Sequence, residues 1–118
     1  MAVDRIANNF LDLDPTDADY DRARYAVLPV PYDGGASYNA GARDAPAAII
    51  DASRHCETFD EELHAEYHHV GIATLDAVAP NRAGPEAMHR DVFEVAKPIT
   101  QSGKTLLGLG GDHSVTSG

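Results

Sequence analysis

Short, continuously apolar runs alternate along the chain with stretches in which apolar side chains recur every three or four residues. The run from Tyr25 to Val30 reads as a strand buried on both faces, with Pro29 and Pro31 marking its end. A glycine-rich loop from Pro31 to Asp44 follows, and Asp44-Ala45-Pro46 supplies an N-cap and a first-turn proline for a helix. That helix is expected to bury Ala48, Ile49, Ala52 and Cys56 before the acidic stretch Glu57 to Glu62. A second buried strand is predicted from Val70 to Leu75. Gly84-Pro85-Glu86 then opens a helix with Met88, Val92, Val95 and Ile99 on one face, which Pro98 should kink or shorten and Ser102-Gly103 should end. Lys104 to Leu109 reads as a third strand that runs straight into Gly110-Gly111-Asp112-His113. Strands alternating with helices imply a parallel sheet with crossover helices, so the fold class is α/β. Residues 1–24 read as a surface arm pinned by Phe10, Leu11 and Leu13, and residues 25–118 as part of one α/β domain. Three parallel strands leave edges and faces uncovered, so that domain is read as incomplete.

Composition narrows the function. Nineteen acidic against nine basic side chains give a net charge of -10, with no basic stripe to offset it, which argues against nucleic acid as a partner. The apolar runs are too short to span a bilayer and the N-terminus has no apolar core for secretion, so no membrane partner and a cytoplasmic location are expected. Many aspartates and few lysines suit concentrated salt; an ordinary acidic cytosolic enzyme would look the same. One cysteine, Cys56, permits no internal disulfide and is read as a buried, inert thiol.

Two motif matches fail on inspection. Ser102-Gly103-Lys104-Thr105 resembles the end of a P-loop, but the motif's first glycine would fall on Pro98, and the segment precedes a strand instead of following one. Gly108-Leu109-Gly110-Gly111-Asp112-His113 starts like a dinucleotide fingerprint whose third glycine would fall on His113. His64 and His68, four apart, could share a helix face and hold a metal. Glu66 is misplaced for the HExxH pattern, however, and a solvated surface cluster is the favoured reading.

The segment Gly108 to Thr116 carries the chemistry. A histidine where a buried parallel strand meets its loop lies at the carboxyl end of the sheet, where ligand sites of open α/β folds gather. The two glycines before it let the backbone approach an ion or a neighbouring strand closely. Asp112 is assigned a supporting role, accepting a hydrogen bond that fixes local geometry, and Ser114 or Thr116 a helix cap just beyond the site. Taken alone, a histidine at a strand end is more often structural than a ligand, and both readings stand at this point.

Gly110-Gly111-Asp112-His113-Ser114-Val115-Thr116 resembles the first signature of the ureohydrolase (agmatinase/arginase) family, with a Ser-Val-Thr ending closer to agmatinases than to arginases. Val30-Pro31-Tyr32-Asp33, Ser37-Tyr38, Gly41-Ala42-Arg43 and Pro46 to Ile50 follow in the order of that family's opening strand, loop and first helix. The resemblance implies a three-layer α/β/α fold, with His113 as a ligand of one ion of a binuclear manganese centre. It implies hydrolysis of a guanidino substrate, most simply agmatine to putrescine and urea, by a trimeric or hexameric homo-oligomer. Two adjacent divalent ions suit that reaction because a guanidinium carbon is resonance-stabilised and resists water. Ser37 and Tyr38 are candidates for lining the entrance. Gly35-Ala36 and Ala45 depart from the family pattern, which opens substrate choice to arginine or guanidinobutyrate. The family's remaining ligands come from two aspartate-rich segments that do not occur before Gly118. No catalytic residue is therefore assigned within the chain, residues 1–118 alone are expected to be inactive, and a non-enzymatic binding module is the competing reading.

Overall fold

The computed structural model describes residues 9–34 and 41–118. Its elements are β1 (Tyr25–Val30), α1 (Ala45–Ser53), β2 (Phe59–Asp60), β3 (Ala65–Glu66), β4 (Ile72–Thr74), α2 (Pro85–Gln101) and β5 (Thr105–Gly110), joined in places by short 3-10 turns. β4, β1 and β5 form a parallel sheet in that order, and β2 and β3 form a separate antiparallel hairpin.

β1 is the central strand, buried from Ala26 to Val30, yet it contains a proline. Register explains this. β5 pairs along its whole length, from Tyr25↔Thr105 to Val30↔Gly110, whereas β4 stops pairing at Val27↔Thr74. The Pro29 carbonyl faces the β4 side, where it accepts the Val78 N–H at 3.0 Å from the loop beyond that strand. The N–H that proline lacks would have pointed to the same side, so no ladder bond to β5 is lost.

The two faces of the sheet are covered differently. On one, Leu28 and Val30 pack with Tyr32, Val78 and the α2 residues Met88 and Val92. On the other, Val27 and Ile72 pack against Leu11 and Leu13, and α1 lies beside that segment. Helix, sheet and helix thus make three layers. Among the described residues β5 is an edge strand, with Leu107 exposed.

Residues 9–24 are fastened by polar bonds as well as by leucines. Asn9, which is buried, donates through Nδ2 to the Leu13 carbonyl at 2.9 Å and accepts the Leu13 N–H at 2.7 Å. The Phe10 N–H donates to Thr74 Oγ1 and the Leu11 N–H to Ser53 Oγ, both at 2.8 Å. Ser53 in turn donates to the Ile50 carbonyl at 2.6 Å. Ser53→Ala is therefore expected to cost about 1–3 kcal/mol, because it strands a buried N–H. Urea unfolding of the whole protein measures it; an unchanged midpoint would show that water replaces the hydroxyl.

Several elements depart from the sequence reading. α1 buries Pro46, Ile50 and Ser53, whereas Ala48, Ile49, Ala52 and Cys56 are exposed, so the thiol is not a buried one. The true face contains a serine whose hydroxyl serves two backbone groups, and an apolar pattern does not register it. In α2, Met88, Val92 and Ile99 are buried but Val95 is exposed. Pro98 does not shorten α2, which continues to Gln101. Pro98 and Glu94, whose carbonyl the missing N–H would have served, are both exposed, so the proline strands no buried acceptor. The strand expected from Val70 is only Ile72–Thr74; Tyr67–Val70 forms a 3-10 turn, and Gly71 follows with φ 88°. A Cβ on Gly71 would lie 2.7 Å from the Ala23 Cα, so both torsion and space require glycine there.

Candidate functional site

Beyond Gly110 the backbone hooks over the end of the central strand. The Gly111 N–H donates to the Val30 carbonyl at 3.2 Å, and the Asp112 N–H to the Tyr32 carbonyl at 2.7 Å. A side chain on Gly111 would collide with the backbone of Tyr32 and sit 2.7 Å from the Val30 oxygen. The close approach expected from the paired glycines is therefore made to β1.

A 3-10 turn, His113–Ser117, follows at once. Its cap is Asp112, neither Ser114 nor Thr116: Asp112 Oδ1 accepts the Ser114 N–H at 2.9 Å and also the Ser114 hydroxyl. The turn begins at least two residues earlier than the sequence suggested, which places His113 at its first position. Val115 packs onto the cluster that contains Leu28 and Met88, anchoring the far end of the turn. His113 is exposed at the carboxyl end of the sheet and lines a cavity of about 460 Å³ with Val30, Val92, Gly110 and Val115.

The loop after β1 is tied at its two described ends by Asp33. Its Oδ2 accepts the Gly41 N–H at 2.9 Å and lies 3.9 Å from the Arg43 guanidinium. Ser37 and Tyr38, the candidate entrance residues, lie outside the described residues.

A second polar cluster sits at the opposite, amino end of the sheet. Asp17 is buried; its carbonyl accepts the Ile72 N–H at 2.8 Å, and its carboxylate faces His68 and His69. Burial alone would raise the Asp17 pKa, but hydrogen bonds from His69 and Arg22 and the nearby imidazoles outweigh it and hold the carboxyl below its usual range. The His69 pKa is raised, first by its bond to Glu66 and then by Asp17. His64 is exposed, in the hairpin turn with φ 50°, and shares no helix with His68. The solvated-cluster reading therefore fits His64 and not His68. The adjacent pair His68-His69 was visible in sequence, whereas its partner Asp17 lies 52 residues before His69 and only the fold unites them.

The model of the arginase family matches residues 23–118. The chain belongs to the arginase family. Over 100 residues it is 47% identical to an N(1)-aminopropylagmatine ureohydrolase of Thermus thermophilus, an alignment that covers 85% of this chain. It is 34% identical over 104 residues to a protein of the same name from Synechocystis, covering 84% of this chain. The chain spans about a third of the length of each, 34%. The crystal structure of the agmatine ureohydrolase of Thermoplasma volcanium superposes with a TM-score of 0.77 at 27% identity, covering 98% of this chain and 37% of that one. The parallel sheet with helices on both faces is the arrangement expected of a family member.

Proposed function

We propose that the whole protein hydrolyses the guanidino group of an agmatine-type compound, releasing urea, with manganese as its metal. The observation that carries this reading is the presentation of His113: a family motif whose glycines hook over β1 and whose aspartate caps the turn that holds the imidazole at the sheet's carboxyl end. His113 fits one ligand position of such a centre. No group of three His, Cys, Asp or Glu donors gathers around it among the described residues, so this stretch offers that one imidazole. Bound manganese would supply the Lewis acidity that ionises water near neutral pH. This chain's own residues do the positioning. Asp112 fixes the first turn through Ser114, and the Gly111 and Asp112 N–H groups fasten it to the last residue of β1 and to Tyr32 just beyond it.

The similarity to two N(1)-aminopropylagmatine ureohydrolases favours that longer substrate over agmatine itself. Urea release by the manganese-loaded whole protein from N(1)-aminopropylagmatine, agmatine, arginine and guanidinobutyrate is the test. The expected order puts N(1)-aminopropylagmatine first, by about 10-fold or more in kcat/KM, since a site built for an added polar group is left unpaired without it. No urea from any of the four would favour the binding-module alternative.

A further inference from the structure

We infer that Asp17, His68 and His69 form a site for a divalent first-row cation of the zinc type, tying the N-terminal segment to the start of β4. One ligand atom from each residue lies within 4.8 Å of the others. Asp17 Oδ2 is 3.3 Å from His69 Nδ1 and 3.7 Å from His68 Nε2. The His68 separation is beyond hydrogen-bond range, and the His69 hydrogen bond is longer than the roughly 2.7–2.9 Å of a strong charge-assisted one. Tetrahedral bonds of about 2.0–2.1 Å to zinc put neighbouring donors about 3.3–3.4 Å apart, a spacing that the Asp17–His69 pair meets and from which the Asp17–His68 pair is a few tenths of an ångström too wide. The contrast within one ring is informative, because His69 Nε2 does make a short contact, 2.8 Å to Glu66 Oε2.

The surroundings have the form that metal-binding imidazoles and carboxylates usually take. A ligating histidine donates its second ring N–H to a carboxylate, as His69 does to Glu66 when Nδ1 faces the ion. Arg22 Nη1 donates to Asp17 Oδ1 at 3.2 Å and its Nη2 to the His69 carbonyl at 3.1 Å, which orients both groups; Oδ1 also lies 3.4 Å from His69 Nδ1, and Oδ2 faces both imidazoles. His68 is mostly buried, its Nδ1 has no partner, and its Nε2 is beyond hydrogen-bond range of Asp17. A cation bonded to Nε2 would give that nitrogen a partner, while the buried Nδ1 stays without one. Two imidazoles and one carboxylate suit zinc, nickel or cobalt better than the oxygen-rich preference of manganese or magnesium.

The metal-free alternative is a charged His69 held between Asp17 and Glu66. The whole protein, stripped of metal and then saturated with manganese, would be dialysed against micromolar Zn2+ at about pH 8, where free imidazole is neutral. Wild type is expected to retain one more Zn2+ per chain than His69→Gln or Asp17→Asn. In Co2+-loaded protein the wild-type minus variant spectrum should show intense tetrahedral d–d bands. His69 is exposed, so its glutamine variant is expected to fold even where Asp17→Asn does not. Equal Zn2+ content in wild type and folded His69→Gln, with no cobalt difference spectrum, would overturn the site and leave the ion-pair cluster.

Discussion

Replacing His113 with alanine is expected to lower urea release by more than about 100-fold, since even removing a group that merely supports a metal-bound histidine costs about 10–100-fold. Folding should be unaffected. His113 is exposed, the turn it opens is capped by Asp112 and anchored by Val115, and surface substitutions of this kind stay within about 0.5 kcal/mol. Circular dichroism and a thermal midpoint equal to wild type would accompany the loss, and the manganese concentration needed for half-maximal activity should rise. Activity close to wild type at ordinary manganese would remove His113 from the ligand set.

The parts of the fold that could be read in advance were those governed by local pattern. β1 and β5 are continuous apolar runs, α2 opens at Gly84-Pro85 and stops at Ser102-Gly103, and the motif follows β5 directly. What escaped was set by partners distant in sequence. α1 turns Ser53 inward because the Leu11 N–H needs an acceptor there, and the helix rotates the more hydrophobic Ile49 out of the core. β2 and β3 pair only two residues each, within an acidic stretch whose composition reads as loop; Asp60 Oδ1 stabilises its turn by accepting the N–H groups of Glu62 and Leu63, both at 2.9 Å. The Asp17 cluster escaped for the same reason: a carboxylate from the N-terminal segment and two imidazoles preceding β4 are brought together only by the fold. The motif at His113 shows the reverse case. Its glycines, aspartate and histidine are consecutive, so the strand end and the hook are encoded within a few residues, although the cap falls on Asp112 and not on Ser114 or Thr116.

Gly111→Ala is expected to separate scaffold from ligand at that motif. Gly111 lies against β1, where a methyl group would overlap the Tyr32 backbone and approach the Val30 oxygen to 2.7 Å. Neither neighbour is the movable end of a side chain. Tyr32 is buried in the main cluster and Val30 is paired through β1 to β5, so relief must come from displacing Gly111 itself. That displacement lengthens the bonds from the Gly111 and Asp112 N–H groups and swings the turn carrying His113 away from its place beside the cavity. Overpacking against backbone costs about 1–3 kcal/mol. A displacement of about 1 Å at a catalytic position costs on the order of 100-fold in rate. The two substitutions should therefore share a loss of urea release but differ in stability: His113→Ala keeps the wild-type midpoint, whereas Gly111→Ala lowers it in urea unfolding by a margin that corresponds to about 1–3 kcal/mol. A Gly111→Ala protein with wild-type stability and activity would mean that the strand end accommodates a side chain and that the hook onto β1 does not position the histidine.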